Sequence, residues 1–600
     1  MKVLQRASHF PARRFLLCSL CVSWLSTFFL CPLLGQNTDQ TIQELIQFGE
    51  FPTALKRANQ LAPTQRDQAL KNIAAAQWGT GASAAAYHSA AQITDDSTRS
   101  EWLRQKYESY AGSSSIDELP NLSGKPSGMG QPGGITEADF EPLIDLIKST
   151  IDPEGWDDTN GDGTISVYPS GVYVDSNGAL QRLRVNRKNQ LKILQPKIGN
   201  DDGNRNPHEQ TQNRKVSLKR LEAMAQIQAV QGKAPDSIMQ NLAGMYDIEY
   251  LIMDPDSNDI LIVGPAGPWQ KDSIGRSVNV KTGLPTLQLD DLVVCLRNAW
   301  DNNGKYGCKI TPRQAALAAT QDFLATSKLK GKAWRDNLRD TLGLQDIEVF
   351  GIDPRTHAGR VLVEADYRMK LIGMGLESSI PEVPSYLSRL QTTPGAQGMP
   401  MDVIRWWFTM NYDDIITDER HQAFVFPGTG VKVLSENELL DRLGNRVHTG
   451  KSNGPTAGFA RDFTQHFNQL AKHYPIYREL KNLFDLSIVA ALIKDQKLNR
   501  RANWNLTYFG NSPSQGNLMY RPRLSNVANE VESIMNHRVI SHRKQRSTIE
   551  HTLVGVSGGI SFDAMKVVDS KRIQTAPNSE TPAITKPATT SDSPTIWWWD

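Results

Sequence analysis

Two acidic residues stand at a spacing that suits acid–base chemistry: Glu364 and Asp366, in Glu364-Ala-Asp-Tyr-Arg368. Read as a strand, this stretch puts both carboxylates on one face beside cations, so that one can act as general acid and the other as general base. The alternative is a structural ion-pair cluster at a strand-to-helix junction. Asp158-Thr-Asn160-Gly-Asp162-Gly-Thr-Ile165 offers oxygens at the first, third and fifth positions of a calcium loop, with Gly163 for the bend. Its twelfth position is Pro169 rather than a bidentate Glu, and a strand follows, so a Gly-rich turn competes with a metal site at Asp158, Asn160 and Asp162. Gly555-Val-Ser557-Gly-Gly559 has the form of a nucleophile elbow, yet no His follows Ser557 as that fold requires. Gly450-Lys-Ser452 lacks the glycine of a phosphate loop five places earlier, where Asn445 stands. Gly128-Met-Gly-Gln-Pro-Gly133 matches a dinucleotide loop on paper but lies in a Pro-rich linker. His466 and His473 are seven apart, and no Cys or carboxylate pattern completes a metal set around them. No cofactor is expected.

Other residues bear on compartment and contacts. Lys2, Arg6, Arg13 and Arg14 precede a long apolar run, Phe15 to Leu34, with Gly35 as a small residue for cleavage. This is the pattern of a signal peptide over 1–35, with an uncleaved N-terminal anchor as the alternative. Leu30 before Cys31 is not the small residue of a lipoprotein signal, and no later stretch is long and apolar enough to span a bilayer. The formal charge of +2 falls to −2 without the four leader cations, so the whole molecule has no attraction to nucleic acid or anionic lipid. The six basic residues from Arg182 to Lys197 read as a solvated face or a contact for acidic envelope polymers. Beyond the leader, Cys295 and Cys308 remain, either as a disulfide of an exported protein or as two buried thiols. A Thr/Pro/Ser-rich stretch precedes Ile596-Trp-Trp-Trp-Asp600. Trp597, Trp598 and Trp599 are expected to dock, either on a partner or on the chain's own C-terminal domain, because exposed indoles oppose solubility.

The elements that must position these residues fall into an α+β multidomain class. Residues 36–110 read as a helical-repeat, tetratricopeptide-like segment, with Leu61–Asp67 echoed by Ile93–Ser100 and Arg66 and Arg99 33 residues apart. A Gly/Ser/Pro linker spans 111–134, and a small α/β module 135–198. Asp247-Ile-Glu-Tyr-Leu-Ile-Met-Asp-Pro255 and Asp346-Ile-Glu-Val-Phe-Gly-Ile-Asp-Pro354 then share a phrase. Each follows a helical stretch and precedes a second apolar run, Ile260–Val263 or Val361–Val363. The expectation is two duplicated helix-plus-β-hairpin modules, 214–310 and 311–390. A mixed C-terminal domain over 400–568 follows, with Leu483–Ile493 apolar nearly all round, and then a disordered tail over 569–600 that ends in the tryptophans.

Several stretches together resemble a family of exported planctomycete proteins known only as a domain of unknown function. They include Val263-Gly-Pro-Ala-Gly-Pro-Trp269, Glu364-Ala-Asp-Tyr-Arg-Met-Lys-Leu-Ile-Gly-Met-Gly-Leu376, Arg405-Trp-Trp-Phe408, Asp485-Leu-Ser-Ile-Val-Ala-Ala-Leu492 and Gly555-Val-Ser-Gly-Gly559. The resemblance covers about 210–565 and implies no activity. Thr150-Ile-Asp-Pro-Glu-Gly-Trp156, with Gly161 and Gly163-Thr-Ile165, is similar to a short motif that accompanies secretin-type outer-membrane proteins of the same phylum.

These features describe an exported cell-envelope protein that binds other envelope proteins or polymers without catalysis. The alternative is a hydrolase of envelope polymers acting through Glu364 and Asp366. Protein from its native compartment is expected to begin near residue 36 by mass spectrometry, and residues 1–34 still attached select the anchor.

Overall fold

A computed structural model describes residues 41–95, 97–99, 101–102, 105–106, 165–168, 171–174, 206–392, 403–440, 443, 445–510, 519–525, 527–542, 547–576 and 596–600. The signal segment, the 111–134 linker and the Asp158–Asp162 loop lie outside these residues. Of the 135–198 module, the described part is the antiparallel hairpin of Ile165–Tyr168 and Gly171–Val174. Among the described residues, no helix is long and apolar enough to cross a membrane.

The Pro475–Asp495 helix is the axis of the core. Proline opens it, where a missing N–H costs nothing, and its residues from Ile476 to Ile493 are buried except Lys481. Helices Leu289–Asp301 and His357–Gly373 pack against it. The His357–Gly373 helix lies on a seven-stranded sheet ordered Arg446–Val447, Gly428–Leu440, Val403–Tyr412, Ser557–Asp563, Lys305–Pro312, Leu344–Phe350 and Glu530–Glu532. Its neighbours pair antiparallel except Val403–Tyr412 with Ser557–Asp563. Helix and sheet approach so closely that a Cβ on Gly373 would stand 2.5 Å from the Trp406 ring.

A second seven-stranded sheet runs Ile573–Thr575, Ile415–Thr417, Ala423–Val425, Tyr250–Asp254, Asp259–Ala266, Thr211–Ser217 and Trp598–Trp599. Strand alternation gives it two apolar faces. Leu251, Met253, Ile260 and Ile262 join the core of the Pro475–Asp495 helix. Tyr250, Ile252, Leu261 and Val263 form a separate cluster with Ala423 and Trp599.

This architecture corrects the modular expectation. Both sheets draw strands from all three spans 214–310, 311–390 and 400–568 or from two of them, so boundaries at 310 and 400 cut through hydrogen-bonded ladders. The contacts hold Ile42–Asp600 as one unit. The shared phrases also diverge. Asp254-Pro-Asp-Ser-Asn258 closes a hairpin, with Asn258 at a left-handed φ of 50° that asparagine tolerates. Asp353-Pro-Arg-Thr-His357 instead starts a helix: the Thr356 hydroxyl caps it by accepting from Gly359 N at 3.2 Å, and Val361–Val363 lie inside that helix. Asp254 and Asp353 therefore occupy unlike structures, and the two strands belong to different sheets.

The N-terminal helices Ile42–Gln47, Phe51–Ala58, Pro63–Gly79 and Ser83–Ala91 form as expected, but they are built into the body. Gln77 Nε2 donates to Leu376 O at 2.8 Å, Met535 N to Thr80 O, and Asn536 Nδ2 to Gly49 O. The two echoed phrases bond to each other: the Asp67 carboxylate accepts from the backbone of Thr94 and Asp95, and Arg66 donates to Gln92 O. At the other end, Ile573–Thr575 is a paired strand and Ile596–Trp599 are buried, so the 569–600 span carries structure at both ends. In this chain Trp598 and Trp599 pair with the Thr211–Ser217 strand of the second sheet.

Cys295 and Cys308 are free and buried rather than bridged. Cys295 faces the Pro475–Asp495 helix, where Ser487 Oγ lies 3.2 Å from its sulfur. Cys308 sits mid-strand under Asp366 and Lys370. Burial pushes both thiols up, which leaves them unreactive.

Lys370 and Asp366, fully buried between helix and sheet, lie 2.9 Å apart. Replacing Lys370 by Met strands a buried carboxylate and is expected to cost about 3–5 kcal/mol. Adding Asp366→Leu should recover most of that loss, and urea unfolding of the two single variants and the double variant measures the coupling.

Candidate functional site

The His357–Gly373 helix decides the fate of the carboxylate pair. Two residues apart on a helix is about 200°, so Glu364 and Asp366 point to opposite sides. The strand reading is corrected on this point. Asp366 is held against Lys370 in the core, whereas the Glu364 side chain is 40% exposed and meets Arg276 at 2.5 Å and Arg368 at 3.8 Å. Burial pushes the Asp366 carboxyl up and Lys370 down, each opposed by the charge of the other. No bond can reach both carboxylates at once.

Glu364 instead belongs to a chain of mostly buried charges. Asp291, in the first turn of the Leu289–Asp301 helix, meets His357 Nδ1 at 2.9 Å. His357 Nε2 lies 3.6 Å from Glu479 on the Pro475–Asp495 helix, and Glu479 accepts from Arg276 Nε at 2.7 Å. Beyond Glu364, Arg368 pairs with Glu377. Burial alone would lower His357, but Asp291 and Glu479 outweigh it and raise it to about 10. Burial would likewise raise Glu479, yet His357 and Arg276 hold it below the ordinary range. Glu377 has weaker compensation: burial pushes it to about 7 against the pull of Arg368. With both ring nitrogens engaged and a proton held at neutral pH, His357 is a structural cation rather than a general base.

A second cluster was not legible in the motifs. Glu436 and Glu438, two apart on the Gly428–Leu440 strand, share a face and converge with His448, with one donor atom of each inside 4.8 Å. Two carboxylates and an imidazole suit a divalent metal in kind. Their donors are already engaged. Glu436 Oε1 accepts from the backbone of Thr449 and Gly450, and Glu438 Oε2 accepts from Arg446 Nε at 2.5 Å. Arg405 Nη1 stands within 3.7 Å of both carboxylates. Hydrogen bonds from His448 to Glu436 and Glu438 raise the imidazole to about 9. Two arginines and His448 thus offset the charge of the two carboxylates without a metal.

Two rejected motifs meet at this cluster. The backbone N–H of Gly450, within Gly450-Lys-Ser452, serves Glu436 rather than a phosphate. Ser557, fully buried in a central strand, accepts from Arg446 Nη2 at 2.6 Å and donates to Ile404 O at 3.3 Å. It has neither the exposure nor the turn of a nucleophile elbow. Asp158, Asn160 and Asp162 lie outside the described residues.

Among the described residues, one open surface feature is a groove of about 1480 Å³ beside the Leu289–Asp301 helix. Tyr508 and Tyr520 supply rings, Lys233 and Arg521 exposed cations, and Asp301 and Asp353 carboxylates. Its wall is braced: Arg297 donates to Phe509 O at 2.9 Å and Tyr520 O at 2.6 Å, and Tyr520 OH donates to Asp290 at 2.7 Å. Mixed charge over fixed rings suits an extended polar ligand.

Residues 308–386 match the family model described as "Protein of unknown function (DUF1598)". That span runs from the Cys308 strand through the His357–Gly373 helix to Tyr386, so it contains His357, Glu364, Asp366 and Glu377. No curated protein and no solved structure matches the chain.

His357 gives this network a pH signature. Its folded value of about 10 exceeds the ordinary 6.5, so the stability it contributes is complete below about pH 6.5 and is lost as pH rises through about 10. The gap in melting temperature between the native chain and His357→Gln should therefore be widest near pH 6 and shrink toward pH 10. A gap constant across that range rules out the charged role.

Proposed function

We propose that the chain is an exported, non-enzymatic binding or scaffold protein of the cell envelope, acting on other envelope proteins or polymers. The observation that carries this reading is the groove. It is open, ring-lined and bordered by both signs of charge, while Asp366 is paired with Lys370 in the core and the half-exposed Glu364 with Arg276, both outside the groove. The leader-like first residues support export, and the wider resemblance to exported planctomycete proteins over about 210–565 supports the envelope as its place of action. The alternative hydrolase through Glu364 and Asp366 loses its support because the helix holds the two apart.

Lys233 and Arg521 are exposed on the groove rim and serve no core contact among the described residues, so they can be reversed without harming the fold. The full chain, immobilised, should retain defined polymer or protein from an envelope fraction, and Lys233→Glu with Arg521→Glu should weaken that retention about tenfold, equivalent to about 1.4 kcal/mol. Equal retention by the variant removes the groove from the proposal. Retention no greater than on an unrelated protein removes the binding function.

A further inference from the structure

The Thr211–Ser217 strand would be the edge of the second sheet if the Ile596–Asp600 segment did not cover it. Trp598 pairs opposite Val216 and Trp599 opposite Lys215, antiparallel, and Ser217 N donates to Trp597 O at 2.8 Å. All four residues from Ile596 to Trp599 are at most 7% exposed. Alternation sends Trp598 into the main core and Trp599 into the cluster on the opposite face, so this short strand closes both faces at once.

The receiving side is held by backbone carbonyls of its own. Arg214, with no exposed surface, donates to Ala243 O at 2.6 Å, Pro207 O at 2.9 Å and Glu209 O at 3.2 Å. Those carbonyls aim its remaining N–H groups along the strand edge. There Asp600 takes both, Nε to Oδ1 at 2.7 Å and Nη2 to Oδ2 at 3.0 Å, a bidentate fork. The guanidinium also stacks on Trp598 with its carbon 4.7 Å from the ring centre. Arg220 lies over Trp599 and donates to Ile596 O at 3.3 Å. Among the described residues, Asp600 is the acid that pairs with Arg214, and without it a buried cation has no counter-charge.

The covalent path does not dictate which molecule supplies the strand. The chain leaves this sheet after Ile573–Thr575, at the edge opposite Trp598–Trp599. Six strand spacings separate the edges, roughly 29 Å. Residues 577–595 connect them with a maximum reach of roughly 65 Å, more than twice that span.

We propose that the outer side of the Thr211–Ser217 strand is a peptide-docking site that reads an Ile-Trp-Trp-Trp-Asp strand. The chain's own segment loads it in a single molecule, and the same segment loads the site of a second copy, linking two chains by strand exchange. Backbone pairing gives affinity, and the Arg214 fork and the two indole pockets give specificity, as in other strand-addition interfaces. This site is separate from the groove and stands or falls without it.

Two measurements test it. Full-length chain with Trp598→Ser and Trp599→Ser, its own segment disabled, is titrated with a labelled synthetic peptide covering Pro594–Asp600. Saturable binding is expected, with the Asp600→Asn peptide about tenfold weaker because it loses the charged fork. Independently, two native full-length chains carrying different tags are mixed and examined by native mass spectrometry across a concentration series. Mixed dimers that increase with concentration and are competed away by the peptide are expected. If the peptide binds but no mixed dimers form, strand exchange between copies is overturned. If the Asn peptide binds equally well, reading by Arg214 is overturned. If neither peptide binding nor mixed dimers occur, the docking site itself is overturned. Should the serine variant fail to fold, the native mixing experiment decides alone.

Discussion

Burying a helix on nearly every side while its first half carries four charges is the constraint around which this protein is organised. Arg478, Glu479, Lys481 and Asp485 all lie on the Pro475–Asp495 helix, and none can be left bare in a low-dielectric interior. Each is met by a group from a different element. Asp247, just before the Tyr250–Asp254 strand, takes Arg478 at 2.6 Å and Lys481 at 3.3 Å. Burial would raise Asp247, but Lys481 and Arg478 bring it to about 2. Tyr412, at the end of a first-sheet strand, donates to Asp485 at 2.6 Å, and Lys481 reaches the same carboxylate. Arg276 and His357 serve Glu479. The apolar residues of the helix supply most of the burial energy, and the charges specify which surface faces which neighbour. Removing one counter-charge therefore disturbs the joint between the helix and a sheet as well as a local contact.

How much of this could be read beforehand depended on the range of the interaction. Local patterns were legible: the helices between 42 and 91, the all-round apolar stretch within Pro475–Asp495, and the Ile165–Tyr168 and Tyr250–Asp254 strands. What decided the repeated phrases was also local but finer. Asn258 accepts a left-handed turn, while Thr356 caps a helix, so Asp-Pro opens two different structures three residues later. Sheet order was out of reach, because the strand at 557–563 enters between partners at 305–312 and 403–412 that no periodicity connects. A disulfide between Cys295 and Cys308 looked natural from proximity in sequence. It failed because Cys295 points from a helix to Ser487, whereas Cys308 points from a strand toward Asp366 and Lys370.

The candidate chemistry gives the same lesson in a sharper form. Glu364 and Asp366, and Glu436 and Glu438, are both acids two apart. On a helix the spacing separates the first pair; on a strand it joins the second. The meaning of the spacing comes from the element type, and the apolar run Val361–Val363 imitates a strand inside the His357–Gly373 helix. The Glu436–Glu438 pair follows from strand alternation along the Gly428–Leu440 segment. His448, Arg405 and Arg446 could not have been added that way, since two other backbone segments, Val403–Tyr412 and the stretch at 446–448, bring them there.

The first sheet also has a consequence for the order in which the molecule can be made. Cys308 sits opposite Ile560, about 250 positions later in the chain. Until that later stretch arrives, Lys305–Pro312 and Val403–Tyr412 each present a bare ladder edge, with Trp406 and Phe408 uncovered, to whatever lies nearby. Closing loops of that length is slow, and an incomplete sheet is sticky while it waits. A ribosome or a translocation pore that delivers this chain from its first residue onward must release nearly all of it before the central strand can slot into place. The protein therefore spends its early life as an open template, and its yield in a cell depends on keeping that template from its neighbours until residue 563 has emerged.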